Sequence, residues 1–470
     1  MRLLPAPAPC SPRRRRSLAV TSAVAVLAAA AVPGGAAAAT TLSAAWTAPL
    51  TLGPAPSDAQ QGLVPRLALT STGRGTVAWN VAGDGTVVSR DFTVGGTLGT
   101  TTTVTRGSLT GSVARDQAGN VAVTGQTAGS PAISWVATRP KAGTTWTFRT
   151  VASGTYVNAP ASFGLASGFL VASTSSFVPT TADAGLPTAA LLGFTTAPGD
   201  PVALGKALEG VETGDFAHGA DGSNWALSSD GHALTTGRRE TTKAKDGTAA
   251  ESVAALVRTG KSPTRYSILG ADAFGGGAVA TVGDRIAVAG LEVQQSSAIA
   301  QRGIPVVALG SGGTIGKTTE IGGVPDRRAL EVDVAGRVGG GAVVTWLQQS
   351  TSTIESLAGQ PKWAVVDDAG EVEARGTFTS AKDARDLRIV RVGSVAVAVW
   401  IRGTGSSARW QAAKVTGDDV QLIKAPTGTP VGHVEGGLNT SQLTANGSVV
   451  ALSFVDAASG AVRVAATRVR

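Results

Sequence analysis

A short apolar strand recurs about every 54 residues along this chain, and a period of that length constrains its fold more than any single motif. Clear copies are Gly75-Thr76-Val77-Ala78-Trp79, Ala342-Val343-Val344-Thr345-Trp346, Val395-Ala396-Val397-Ala398-Val399-Trp400 and Val449-Val450-Ala451-Leu452-Ser453-Phe454. Glycines stand just before the apolar runs, at Gly73, Gly75, Gly119, Gly168, Gly222, Gly283, Gly339, Gly340, Gly341, Gly393 and Gly447. Glycine reaches positive φ without a steric penalty, so these positions read as hairpin tips. A unit repeated in this way cannot bury its apolar surface alone and must stack on its neighbours.

Each unit can be laid out as four strands. The second is the most apolar, at 76–79, 121–124, 169–173, 225–228, 286–290, 342–346, 395–400 and 449–454. Runs without polar alternation predict strands covered on both faces. Third strands are expected at 86–90, 133–139, 190–194, 253–259, 305–310, 362–368, 409–415 and 462–468. Fourth strands follow at 98–104, 145–151, 202–208, 265–270, 314–321, 372–378 and 420–425, one fewer than the eight units require. The missing strand is expected at residues 45–52, AWTAPLTL, which read much like TWTFRTV at 145–151. Pairing of 45–52 with 462–468 would complete the last unit and leave no open edge.

Strands in this order resemble β-propeller repeats of WD40-like and sialidase-like architecture, over essentially the whole chain after its first 39 residues. The resemblance implies an all-β propeller of eight blades, each of four antiparallel strands, the last closed by the N-terminal strand. Seven blades is the alternative, because the third to sixth units are irregular. A β-sandwich pair predicts no fixed period, and β-helix repeats are usually shorter.

Residues 1–39 read as a signal peptide of bacterial type: Arg13-Arg14-Arg15-Arg16, an apolar stretch at 17–32, a break at Pro33-Gly34-Gly35, and small residues at Ala37-Ala38-Ala39. The apolar stretch is short for a membrane span, so cleavage near Ala39 is expected, without a remaining anchor. Arg15-Arg16-Ser17-Leu18 is loosely like a twin-arginine signal and does not choose the export route. The expected mature protein is a single domain, 40–470, secreted or loosely associated with the cell wall, and monomeric. Removing 1–39 takes away five arginines and lowers the formal charge from +8 to +3. Nucleic acid is therefore not an expected partner, since basic stripes rather than mild net charge mark phosphate binding. Cys10, the only cysteine, lies in the leader, so the mature chain must be held by burial and strand pairing.

No cofactor, metal site or catalytic residue is assigned from the sequence. The three histidines, His218, His232 and His433, are scattered, and no calcium-loop spacing of acidic residues occurs. Asp84-Gly85, Asp221-Gly222, Asp230-Gly231 and Asp246-Gly247 read as turns. No GxSxG elbow is present. Gly143-Thr144-Thr145-Trp146 is similar to the second half of the sialidase turn S-x-D-x-G-x-T-W, with Arg139 and Lys141 in place of Ser and Asp. Arg302-Gly303-Ile304-Pro305 is similar to the Arg-Ile-Pro element of that family with an added glycine. The resemblance implies a Tyr–Glu nucleophile pair, yet Tyr156 and Tyr266 are the only tyrosines and neither has an obvious acidic partner in sequence. Other glycosidases need only two carboxylates about 5 to 9 Å apart. Two functions follow as expectations: a non-catalytic binding module for an extracellular or cell-envelope glycan or protein, and, as the alternative, a divergent extracellular glycoside hydrolase.

In a propeller the connections after the second and fourth strands open on one face. Candidate ligand-binding residues there are Arg66, Asp215, Asp272, Arg327, Asp386 and Glu435 at the starts of first strands, with Trp79, Trp346 and Trp400 at the ends of second strands. Indoles beside carboxylates and guanidinium groups can stack on and hydrogen-bond a sugar or peptide. The competing role for such recurring tryptophans is to wedge adjacent blades, and Trp135, Trp363 and Trp410 at third-strand starts fit that role more firmly. The connection 229–251, with Arg238, Arg239, Glu240, Lys243, Lys245 and Asp246, reads as a long loop, a partner-recognition element or a solvated excursion.

Overall fold

The computed structural model describes residues 46–55, 65–81, 85–107, 109, 111–127, 132–154, 156–157, 161–164, 168–176, 188–194, 202–203, 208–209, 225–227, 232–244, 247–258, 264–269, 275–297, 300–311, 314–322, 329–349, 358–431 and 441–469. Among the described residues a first strand, β1 (Leu50–Pro54), precedes eight antiparallel sheets. The first sheet is β2 (Arg66–Leu69), β3 (Arg74–Asn80), β4 (Thr86–Thr93) and β5 (Leu98–Arg106). The second is β6 (Val113–Arg115), β7 (Val121–Thr127), β8 (Ala132–Arg139) and β9 (Thr147–Gly154). In the third, β10 (Tyr156–Val157) and β11 (Ala161–Gly164) share one edge of β12 (Phe169–Ser176). There β13 (Thr188–Phe194) carries both β14 (Val202–Ala203) and β15 (Leu208–Glu209) on its far edge, so among the described residues the sheet is four strands wide with two short segments on each outer edge.

The fourth sheet is β16 (Trp225–Leu227), β17 (His232–Ala244), β18 (Gly247–Arg258) and β19 (Thr264–Leu269). The fifth is β20 (Gly275–Val282), β21 (Arg285–Ser297), β22 (Ala300–Ser311) and β23 (Thr314–Glu320). The sixth is β24 (Ala329–Gly336), β25 (Ala342–Gln348), β26 (Gln360–Val366) and β27 (Val372–Thr377). The seventh is β28 (Ala384–Val392), β29 (Val395–Arg402), β30 (Arg409–Thr416) and β31 (Asp419–Ile423). The eighth is β32 (Ser441–Asn446), β33 (Val449–Asp456) and β34 (Ala461–Arg468), completed by β1.

First strands of successive sheets pack side by side: β2 with β6, β6 with β11, β16 with β20, β20 with β24, β24 with β28, β28 with β32, and β32 with β2 again. Together with β13 against β18, these contacts run from each sheet to the next and return to the start. That order defines a β-propeller. Closure comes from β1, which pairs antiparallel with β34 from Leu50↔Val464 to Pro54↔Ala461. The pairing continues upstream, where the Thr47 N–H donates to the Ala466 carbonyl at 2.8 Å. The closing strand thus falls where residues 45–52 were expected to supply it, displaced slightly toward the C-terminal side.

Burial explains why second strands lack polar alternation. In β33, Val450, Leu452 and Phe454 join a core with Val397, Ile401 and Trp410 of the seventh sheet. The intervening Val449, Ala451 and Val455 join a different core with Leu67, Val77 and Trp79 of the first sheet. Successive side chains point to opposite faces of a strand, and here both faces are seams between sheets. Each fully buried Val, Leu or Phe adds roughly 1.5–3 kcal/mol. One hairpin tip shows why glycine is needed: Gly341 has φ +80° and the Val366 carbonyl lies where a Cβ would stand.

The fourth unit departs from the sequence-based layout. Trp225–Leu227, expected in a second strand, forms β16 at the sheet edge, and the second strand is β17. Most of the expected loop 229–251 is therefore paired hairpin, with Arg238↔Ser252, Arg239↔Glu251 and Glu240↔Ala250 in register. Threonines at 235, 236, 241 and 242 suit a pleated strand, and they outweigh the charges that made the segment look solvated. The fifth sheet carries a hairpin of similar length, β21–β22, paired from Arg285↔Ser311 to Ser297↔Ala300.

Candidate functional site

At the mouth of the ring, the first strand of a sheet presents an edge whose outward N–H groups have no strand partner. Side chains from the preceding sheet fill that role. The Leu387 N–H donates to Glu331 Oε2 at 3.0 Å, and the Ile389 N–H donates to Asp333 Oδ2 at 2.9 Å. Asp333 Oδ1 also accepts from the Val334 N–H at 2.8 Å. Elsewhere Gln442 Oε1 accepts from the Leu67 N–H, and Ser112 Oγ accepts from the Ser162 N–H at 2.7 Å. Carboxylate, amide and hydroxyl oxygens thus staple one first strand to the next.

Bulges position the staples between the sixth and seventh sheets. Register shifts occur between Leu330 and Asp333 in β24, and between Arg385 and Arg388 in β28. Glu331 (φ 48°) and Asp386 (φ 51°) occupy these bulges and are the only non-glycine residues with positive φ among the described residues. Aspartate tolerates that region better than glutamate, so strain is greater at Glu331 and is held by its bond to the neighbouring sheet. Asp333 in β24 and Asp386 and Arg388 in β28 are all buried.

Of the residues expected at the mouth, Arg66 begins β2 and is half-buried, and Asp386 lies buried in the β28 bulge. Asp215, Asp272, Arg327 and Glu435 lie outside the described residues, as do His218 and His433; the side chain of His232, which begins β17, does too. The three tryptophans share a different geometry. Trp79 is 2 % exposed, its ring lies over Gly53 and its Nε1 donates to the Pro54 carbonyl at 3.1 Å. Trp346 covers Gly322, which follows β23, and its Nε1 donates to Gln348 Oε1 at 3.3 Å. Trp400 stacks on Phe378, which follows β27, with ring centroids 5.2 Å apart. Each indole therefore sits on the end of the preceding sheet's outer strand and packs the seam, with its faces covered.

A second polar cluster lies in the seam between the first and second sheets, on the opposite, hairpin-tip side. Asp91 accepts from Thr76 Oγ1 at 2.6 Å, from Arg115 Nη1 at 3.2 Å and from Arg139 Nη2 at 2.9 Å to both oxygens. Arg115 also donates to the Gly119 carbonyl at 3.1 Å. Its pKa is lowered from the ordinary arginine value, chiefly by burial and further by Arg139 and Arg74, against the opposing pull of Asp91. The sialidase-like Gly143-Thr144-Thr145-Trp146 stretch ends here: the Arg139 guanidinium lies 5.2 Å from the Trp146 ring centroid, and Trp146 Nε1 donates to Thr102 Oγ1 at 3.2 Å. Here these residues tie a turn to the adjacent sheet.

Sequence reasoning did not single out Glu331, Asp333, Arg388, Gln442 or Ser112. One signal was present: the carboxylates at Glu331 and Asp386 stand one repeat apart, at matching places in their first strands. Among the described residues no cluster of three or more His, Cys, Asp or Glu side chains is arranged to hold a metal, and no helix is long and apolar enough to cross a membrane.

The fold places the chain in the β-propeller class. No protein-family model and no curated protein matches it. It is similar to the β-propeller domain of the Trilobed protease from Pyrococcus furiosus, at 10 % identity over 77 % of this chain and 97 % of that one, with a TM-score of 0.41. It is also similar to α-L-arabinanase from Penicillium chrysogenum, at 10 % identity over 90 % of this chain and 99 % of that one, with a TM-score of 0.39. A variant of NanB sialidase from Streptococcus pneumoniae is similar at 11 % identity over 89 % of this chain and 70 % of that one, with a TM-score of 0.35. These likenesses concern fold only.

Proposed function

We propose that the protein is an exported, non-catalytic β-propeller that binds an extracellular or cell-envelope glycan or protein through the face carrying the β17–β18 and β21–β22 hairpins. The observation that supports this reading is how two of the described acids at the mouth are used. Glu331 and Asp333 accept main-chain N–H groups of the next sheet, and so are committed to holding strands together. A glycosidase needs a carboxyl group free to give or take a proton at the substrate. Two long hairpins beside the mouth add recognition surface, as loops on a rigid scaffold commonly do.

The test is to express the whole chain, recover the secreted product and assay it against glycan and protein panels for both binding and turnover. N-terminal sequencing is expected to begin near Thr40. Saturable binding without product release is the expected result. Turnover that disappears in Asp386→Asn or Glu331→Gln, with the melting temperature retained, would establish the glycoside hydrolase instead.

A further inference from the structure

An open, solvent-facing cavity of about 520 Å³ lies beside the seventh sheet, formed by the start of β30 and the segment that follows β31. Both lie at the connections after second and fourth strands, so the cavity belongs to the same face as the two long hairpins. Its volume falls in the range of small-molecule sites. Ile423, Ala425 and Trp410 supply apolar surface, while Arg409, Gln411 and Thr427 supply polar groups.

The walls are preformed. Thr429 donates its N–H to Asp456 Oδ1 at 2.8 Å, its carbonyl accepts from the Ala457 N–H at 2.7 Å, and the Val431 N–H reaches the Val455 carbonyl at 2.9 Å. These bonds fix the 427–431 segment along the end of β33. Gly428, at φ +120°, sits so close to the Phe454 ring that a Cβ would lie 2.9 Å from it. The same Phe454 ring meets Trp410 edge-on at 5.7 Å, which holds the indole in the floor.

Arg409 gives the cavity its chemical character. Its Nη1 donates to the Ser406 carbonyl at 2.8 Å, the Ala408 carbonyl at 2.6 Å and Thr429 Oγ1 at 3.4 Å. The guanidinium, on an exposed side chain, is thereby anchored through Nη1, and its Nε/Nη2 edge faces solvent with no acceptor among the described residues. Among the described residues no carboxylate lines the cavity. Asp456, which holds Thr429 from behind, is also engaged with Arg463 at 3.2 Å and Ser459 at 2.6 Å. A held arginine with its Nε/Nη2 edge free is the geometry that takes a carboxylate through two parallel hydrogen bonds. Hydroxyl and amide groups beside an apolar floor suit the rest of a pyranose ring.

We infer that this cavity binds a carboxylated sugar, a hexuronate unit of an acidic polysaccharide, with Arg409 receiving the carboxylate. The inference rests on the binding-module reading and names its ligand class. Its test is titration of the purified protein with trigalacturonate, the methyl ester of that trisaccharide, and inorganic phosphate. Trigalacturonate is expected to saturate a site, and the ester to bind roughly tenfold more weakly or worse, as loss of a charge-assisted pair requires. Arg409→Gln is expected to weaken trigalacturonate binding by about the same factor, and Arg409→Lys by less, since the charge stays and the fork is lost. Gln411→Glu, which adds a repelling charge without touching Arg409, is expected to weaken it as well.

Equal affinity for acid and ester, phosphate binding as tight as the trisaccharide, or unchanged affinity in Arg409→Gln with an unaltered melting temperature would each overturn the site. Binding of some other glycan or a protein that is unaffected in Arg409→Gln removes this site and leaves the binding module standing. Absence of any saturable ligand removes both.

Discussion

The seam between the first and second sheets and the seam between the sixth and seventh hold their polar groups in opposite ways. In the first, one carboxylate, Asp91, serves two arginines whose side chains are nearly buried, Arg115 at 4 % and Arg139 at 8 % exposure, while Asp91 itself is 31 % exposed. In the second, Asp333 and Glu331 receive neutral main-chain N–H groups across the seam. A charged seam depends on the balance of its ions, and an uncompensated buried charge is costly. A stapled seam depends on the exact path of two strands, because its donors belong to the backbone. An acid used as a staple spends its lone pairs on main-chain donors, whereas an arginine surplus creates a local demand for anions.

The largest loss is expected from Trp400→Ala in the stapled seam. The side chain is fully buried against Phe378, and removal of a core tryptophan costs about 3–5 kcal/mol. Chemical denaturation followed by far-ultraviolet circular dichroism measures it, and a loss below about 1 kcal/mol would mean the seam collapses around the gap.

Asp333→Ala comes next. It removes the acceptor of two N–H groups, Val334 and Ile389, and buried unsatisfied donors cost about 1–3 kcal/mol each. Asp333→Asn keeps one carbonyl acceptor and is expected to recover part of the loss. If the two variants unfold alike, the staple is not what holds these sheets.

In the charged seam, Asp91→Ala is expected to cost about 2 kcal/mol, less than Asp333→Ala, because Asp91 is itself part-exposed and its removal admits water to the two arginines. The sharper experiment adds Arg115→Met and Arg139→Met to Asp91→Leu. Replacing a whole buried ion cluster by apolar groups is often neutral, so the triple variant is expected to lie within about 1 kcal/mol of the parent. A triple variant less stable than Asp91→Ala would show that the ions specify the seam.

The smallest effect is expected from Arg337→Gln, which breaks the part-exposed pair with Glu373 at 2.6 Å. Such pairs contribute about 0–1 kcal/mol, and added salt should narrow the difference further.

Much of this architecture was legible because a strand's faces are written locally. The apolar runs at 395–400 and 449–454 fall within β29 and β33, and the strand expected at 45–52 pairs with β34. The fourth unit was not legible, since Trp225–Leu227 is apolar enough to pass for a second strand and the charges of 238–246 disguise a paired hairpin. Tryptophan positions were visible, but only burial separates a wedge over Gly53 or Gly322 from a stacking platform for a ligand.

Read alone, the residues determine most of the elements and the order in which they repeat, the fourth unit excepted, because hairpin tips and two-faced strands depend on neighbours a few positions away. The tertiary structure decides what their polar groups do. The acceptor for Leu387 is 56 residues upstream, and the cavity of Arg409 is completed by a segment pinned to β33. Contacts across a seam depend on how far apart and at what angle two sheets stand, and no local pattern carries that information.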